Sequence, residues 1–199
     1  MKIMAFSDLH LGAAHAAELV AASDQADLVI GAGDFCNHRK GLDRAMALLS
    51  DIKTPLITVP GNAESAEELR AAALPGMHVL HGEGMEFEGL QIFGLGGGIP
   101  QTPFGEWSYD LSEKDAEALL TGCESADILI CHSPPKGQGD ETSLGHSVGS
   151  TSILRAVEQL QPQLALFGHI HDSWGFRGQV GRSLTANLGP VPSFFEVTP

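Results

Sequence analysis

Basic residues, cysteines and long apolar runs are all scarce in this chain. Lysine and arginine number 11 against 25 aspartates and glutamates, a formal net charge of −14. That balance gives no electrostatic footprint for a nucleic-acid polymer or an anionic membrane surface. No apolar run approaches the roughly 20 residues needed to cross a bilayer. Residues 1–6 hold an apolar run of only four before Ser7-Asp8, short of the about 7–15 that a secretion signal uses. Three cysteines, Cys36, Cys123 and Cys131, cannot all pair and show no CxxC spacing. They read as free thiols in a reducing compartment, and the expected setting is cytoplasmic.

What remains is ordinary globular material: 199 residues, 43% hydrophobic and 18% charged. Length alone favours one domain over residues 1–199, large enough to bury a core without disulfide staples. Short apolar runs recur at 3–6, 28–30, 56–59, 90–95, 128–130 and 164–167, each running at once into polar or glycine-rich residues. Such runs bounded by turn residues are the pattern of buried strands. Helix-like stretches lie between several of them, at 13–22, 41–49, 63–73, 112–120 and 150–160. Ser112 is placed to cap one of these, and Glu64, Glu67 and Glu68 read as the solvated acidic start of another. Alternating strands and helices argue for an α/β fold. The later strands, 85–87, 90–95 and 184–188, have fewer helices between them, which predicts some antiparallel pairing. Two long polar stretches, 96–110 and 134–149, break the pattern and read as functional loops.

The chemistry sits where the strands stop. The first ends in Asp8-x-His10, the second in Gly33-Asp34, the third in Gly61-Asn62, the fifth in His132 and the sixth in Gly168-His169-x-His171. Every one of these side chains can ligate a metal. Strand ends that each deliver a ligand to a loop would gather all seven along one edge, where open α/β sheets bind ligands. Two carboxylates, one amide and four imidazoles make a mixed N/O set without thiolate. That set suits Mn, Fe, Zn, Co or Ni better than Ca²⁺ or an iron–sulfur cluster. Seven donors are too many for one catalytic ion and fit two ions that share a carboxylate.

This ordered series, covering residues 8 to 171, resembles the calcineurin-like metallophosphoesterase family. The resemblance implies a four-layer αββα sandwich, two mixed sheets flanked by helices, with the metal site at the C-terminal edge of the strands. It implies that Asp8, His10, Asp34 and His171 hold one divalent ion, with manganese favoured. It implies that Asp34, Asn62, His132 and His169 hold the other, Asp34 bridging, and that a hydroxide between the ions attacks phosphorus. Asn62 and His132 would also face the substrate. The family's third motif normally continues with a histidine that contacts phosphate and protonates the leaving group, yet here it reads Gly61-Asn62-Ala63-Glu64. His38, four residues after Asp34, and His146 in the glycine-rich loop are the candidates to replace that acid. The expected activity is hydrolysis of small phosphate esters, with phosphodiesters such as cyclic nucleotides favoured over monoesters. No nucleic-acid polymer or membrane is expected as a partner, and a homodimer stays open.

Two readings of other classes stand beside this one. A catalytically weak binding scaffold would share the fold, although it has no need of converging ligands. Gly145-His146-Ser147-Val148-Gly149 matches the GxSxG pattern of serine esterases, but the residues before it are polar where a nucleophile elbow needs a strand. His146 and Ser147 are then expected to touch substrate instead. Phe104, Trp107 and Tyr109 read as cover for the core or for a subunit interface ahead of substrate contact.

Overall fold

A computed structural model describes residues 1–198. The first sheet contains β1 (Lys2–Phe6), β2 (Leu28–Gly31), β3 (Leu56–Thr58), β4 (Met77–Val79) and the last strand, β11 (Ser193–Glu196), in the order β11-β1-β2-β3-β4. The second contains β5 (Glu83–Phe87), β6 (Leu90–Leu95), β7 (Ile128–Cys131), β8 (Leu164–Phe167), β9 (Arg177–Val180) and β10 (Ser183–Asn187), in the order β5-β6-β7-β8-β10-β9. β1 to β4 run parallel, as do β6, β7, β8 and β10. Antiparallel pairing is confined to the edge partners β11, β5 and β9. The antiparallel pairing expected among the later strands is found between β5 and β6 and between β9 and β10, while β10 runs parallel to β8. Strands β4, β9 and β11 carry no strong apolar run and are not legible from pattern.

The period-2 alternation of each strand sets the layers. In β1, Ile3 and Ala5 face the second sheet together with Leu28 and Ile30 of β2, and there they meet Ile92, Ile130 and Leu166. Met4 and Phe6 face the other way, onto Leu19 of α1 (Ala13–Ser23), Met46 of α2 (Leu42–Leu49) and Leu69 of α3 (Ala66–Ala72). In the second sheet, Phe93, Leu129 and Ala165 point outward onto α4 (Glu113–Leu120) and α5 (Thr151–Leu160). The result is helices, sheet, sheet, helices, with three apolar cores between them. Central strands buried on both faces explain why their sequences read as unbroken apolar runs.

Local chemistry sets the helix ends. Ser112 and Ser150 cap α4 and α5 by accepting the Asp115 and Ile153 N–H groups. The third helix starts at Ala66, not at 63, because Ser65 forms a capping box with Glu68. The residues before it, Asn62 to Glu64, turn inward instead. Among the described residues no helix is long and apolar enough to cross a membrane. All three cysteines are free and buried.

Candidate metal centre

The C-terminal ends of β1, β2 and β3 face those of β7 and β8 across the seam between the sheets, and the loops that follow carry the candidate ligands. Asp8 and His10 follow β1, Asp34 follows β2, Asn62 follows β3, His132 follows β7, and His169 and His171 follow β8. Asp8, His10, Asp34 and His169 all hold positive φ, from 44° to 69°. A left-handed backbone at a non-glycine residue costs on the order of 1–3 kcal/mol and persists only where its surroundings fix it. Here it turns each side chain back over the strand ends. Tight glycines make room. A Cβ on Gly33 would press on the Gly61 backbone and the His132 ring, and one on Gly61 would overlap Asp34. One on Gly168 would overlap Ser7 and Asp8. The glycine in each motif is therefore a packing requirement.

Two clusters form. Asp8, His10 and His171 offer ligand atoms within 4.8 Å of one another, and so do Asp34, His132 and His169. Asp34 also reaches the first group: its Oδ2 lies 3.4 Å from His10 Nε2, while its Oδ1 lies 3.4 Å from His132 Nε2. It sits between the clusters with one carboxylate oxygen toward each. Asn62 presents Oδ1 to His132 Nε2 at 3.2 Å and donates through Nδ2 to the Ser108 hydroxyl at 2.9 Å. That second bond turns its amide oxygen toward the cluster.

Backbone carbonyls fix the imidazoles. His10 Nδ1 lies 3.0 Å from the Cys36 carbonyl and His132 Nδ1 lies 2.8 Å from the Ala32 carbonyl. A carbonyl only accepts, so each Nδ1 carries a proton and Nε2 is the nitrogen left to face an ion, which would displace any proton held there. Charge follows the same layout. Burial disfavours charge on His132, but the Asp34 carboxylate more than offsets it and raises its pKa to about 9. Burial also opposes the Asp34 carboxylate, yet His132, His10 and His169 hold its pKa well below the usual carboxylate range. Burial and the charge on His132 press His169 down to about 4. Asp8 is lowered as well, against its burial, by His171 and His132. These are N and O donors held close, with one carboxylate shared and no thiolate among them, a set that fits two divalent transition-metal ions.

Two residues that the sequence did not single out for this site support it. Glu64 is fully buried, not solvated. Its carboxylate accepts the N–H groups of Asp34 and Gly61 at 2.8 Å, Phe35 at 3.1 Å and Cys36 at 3.3 Å, tying the Asp34 loop to the Asn62 loop. Burial and then the nearby Asp34 charge raise its pKa. The Gly61-x-x-Glu64 spacing was its only signal. Trp174 donates its indole N–H to Asp8 Oδ2 at 3.1 Å and packs on His171 with ring centroids 4.3 Å apart.

The remaining candidates separate. His38 lines the same cavity, of about 400 Å³, as His10, Asp34, Asn62, His169 and His171. Its ring lies against Trp107 at 4.2 Å, and Trp107 stacks on Phe104 at 5.6 Å. Phe104 and Trp107 therefore wall the cavity and do not cover a core, whereas Tyr109 turns away to His81 at 3.1 Å. His146 is not brought there: it is exposed on the 141–147 loop and absent from the cavity wall. Ala63 is buried, and its N–H donates to Asp34 Oδ1 at 2.8 Å. Among the described residues Ser147 follows no strand, and its hydroxyl donates to Asp140 at 2.6 Å instead of to a histidine.

A family model described as calcineurin-like phosphoesterase matches residues 1–173. The chain belongs to that family. Metallophosphoesterase domain-containing protein 1 of Homo sapiens is 32% identical over 123 residues, covering 58% of this chain and 35% of that one. The chain spans about a third of the length of the curated relatives it matches. Among solved structures, a Thermus thermophilus protein shares the fold at TM-score 0.75 and 20% identity, over 94% of this chain and 88% of that one. A dimetal phosphatase from Danio rerio matches at TM-score 0.61 and 15% identity, over 96% and 88%. An archaeal phosphodiesterase matches at 0.54 and 17%, over 95% and 84%. The calcineurin-like family is one of dimetal proteins, and the two clusters give this member a matching set of candidate ligands.

Proposed function

We propose that this protein hydrolyses phosphate esters with two divalent transition-metal ions and prefers small phosphodiesters, a class that includes cyclic nucleotides, to monoesters. The observation that carries the reading is Asp34, which turns one carboxylate oxygen to each cluster. Asp8, His10, Asp34 and His171 would hold one ion, and Asp34, Asn62, His132 and His169 would hold the other. The mixed carboxylate, amide and imidazole set suits manganese, iron, zinc, cobalt or nickel, and manganese is the one we favour. When bound, such a pair supplies a strong nucleophile from water at neutral pH and neutralises charge on the phosphoryl oxygens.

The chain's own residues do the rest. Nδ1 bonds to backbone carbonyls keep His10 and His132 in one tautomer and orientation. Asn62 stays aimed through Ser108. Phe104 and Trp107 shield one side of the cavity from water. Ala63 has no donor to offer a phosphoryl oxygen, so a monoester dianion leaves one more charged oxygen without a partner than a diester does. His38 sits on the cavity wall and is the side chain placed to protonate a leaving oxygen.

The test compares bis-p-nitrophenyl phosphate with p-nitrophenyl phosphate, with Mn²⁺ added and with EDTA. Metal-dependent turnover, higher on the diester, is expected. Turnover that survives EDTA would overturn the dimetal reading. No turnover with Mn²⁺, Ni²⁺, Zn²⁺ or Fe²⁺ would leave a binding scaffold of the same fold.

A further inference from the structure

A second cavity, of about 530 Å³, adjoins the one at the metal clusters. The two share Phe104, Thr142, His169 and Ile170 as walls, so His169 belongs to both chambers. The second chamber has a different character. Ile99, Pro100, Pro103, Phe104, Val148 and Ile170 supply its surface. Of its polar side chains Gln101 is exposed, and the others are engaged elsewhere. The Thr102 hydroxyl donates to Asp110 at 2.8 Å, and the Ser147 hydroxyl donates to Asp140 at 2.6 Å. The Lys136 ammonium donates to the Ser147 carbonyl at 2.5 Å, and Thr142 Oγ1 accepts the His146 N–H at 3.3 Å. An entering group meets hydrocarbon first. Phe104 is 51% exposed and Val148 37% exposed on this surface. Large apolar side chains held open to water beside a polar centre are the usual mark of a ligand wall.

We propose that this chamber holds an apolar ester group of the substrate, a short alkyl chain or a plain aryl ring, while the phosphate lies at the clusters. The inference rests on the phosphodiesterase reading and narrows its substrate class. A nucleoside arm would bring a base and a sugar whose hydrogen-bonding groups this wall leaves unpaired, at a cost that hydrocarbon does not meet. A monoester has no second arm to place here, so the chamber also accounts for a diester preference.

Two substrates with one leaving group test it: methyl p-nitrophenyl phosphate and butyl p-nitrophenyl phosphate, on the Mn²⁺-loaded protein. The butyl arm adds three methylenes, each worth roughly fourfold when fully buried. The butyl ester is expected to exceed the methyl ester at least tenfold in kcat/KM, mostly through KM. Val148→Arg, a change at a partly exposed position that places a charge in the chamber, is expected to bring that ratio within twofold. Butylphosphonate is expected to bind at least tenfold more tightly than methylphosphonate by calorimetry, a readout independent of turnover. Metal-dependent turnover with equal rates on both esters would overturn the chamber assignment and leave the phosphodiesterase reading standing. A tenfold phosphonate preference without turnover of either ester would support the chamber and overturn the hydrolytic reading. Thymidine 5′-p-nitrophenyl phosphate turning over faster than the butyl ester would overturn the apolar arm.

Discussion

Replacing Glu64 by glutamine tests whether the centre is braced by a buried carboxylate. Four backbone N–H groups, from Asp34, Phe35, Cys36 and Gly61, converge on Glu64. The cage is built for an acceptor with two oxygens. In Glu64→Gln the amide oxygen can still serve Asp34 and Gly61, which bond to Oε1. The NH₂ then faces the Phe35 and Cys36 N–H groups, donor against donor. The Cys36 N–H loses its acceptor and the Phe35 N–H keeps only its longer contact to Oε1 at 3.3 Å, at a cost of about 3 kcal/mol together, where one buried N–H without an acceptor costs about 1–3 kcal/mol. For a chain of this length that lowers the melting temperature by about 10 °C. Because Glu64 joins the loops that carry Asp34 and Asn62, metal affinity should fall as well. Scanning calorimetry and metal titration on the purified variant measure both. Burial and Asp34 raise the Glu64 pKa, so the refuting result has a definite meaning. A variant that melts within about 2 °C of the wild type, with unchanged metal binding, would show Glu64 held as the neutral acid, which glutamine copies well.

Four further outcomes are expected. Glu113 accepts bonds from Ser150, Thr151 and Ser152 at the start of α5, and its pKa is lowered: burial opposes the shift, and these bonds outweigh it. A lowered folded pKa gives stability that is present above the unfolded value of 4.5 and lost as pH falls through the folded one. Glu113→Gln should therefore melt about 2–4 °C below wild type at pH 7, and the gap should close as pH falls through the folded pKa, in parallel melts. Trp174→Phe removes the indole donor to Asp8 and should weaken metal binding about tenfold by titration. His38→Ala should lose about 10²–10⁴-fold on phenyl esters and less than about tenfold on p-nitrophenyl esters, and equal losses on both would make His38 a positioning residue. Mn²⁺ at about 100 times its dissociation constant adds about 2.7 kcal/mol and should raise the melting temperature by about 5–10 °C, reversed by EDTA.

The ligands were legible because their chemistry and their position coincide. A polar residue at the end of an unbroken apolar run, as His132 directly follows 128–131 and Asp34 follows 28–31 after two small residues, has only a strand end to occupy. The edge strand β5 was legible in part, at 85–87, but β9 (Arg177–Val180) was not, because it alternates exposed and half-buried positions with little apolar content. Glu64 misled for a reason of energetics. Glutamate before an amphipathic run is normally solvated, and only the convergence of four backbone donors makes its burial tolerable. His38 and His146 look alike in sequence, each a histidine in a polar loop. The fold separates them, since His38 directly follows the Asp34 turn while His146 sits at the tip of a loop anchored by Asp140.

The composition of each cluster shows how the fold and the centre depend on each other. Asp8 and His10 come from the first sheet and His171 from the second; Asp34 comes from the first, His132 and His169 from the second. Neither sheet alone supplies a complete cluster. Between the sheets lies the apolar layer of Ile3, Ile30, Ile57, Ile92, Ile130 and Leu166. That layer sets how far apart the two halves of each cluster stand. Close-packed interiors transmit small displacements instead of absorbing them. Shortening a side chain in that layer would thus shift the ligands of both clusters together, while a change on the helix-facing side of either sheet would move one half-set as a unit. The carboxylate of Asp34 is the point where both clusters meet, and Glu64 holds its backbone from behind. The residue that most determines the geometry of this centre without facing it is therefore a buried glutamate on the far side of the Asp34 turn.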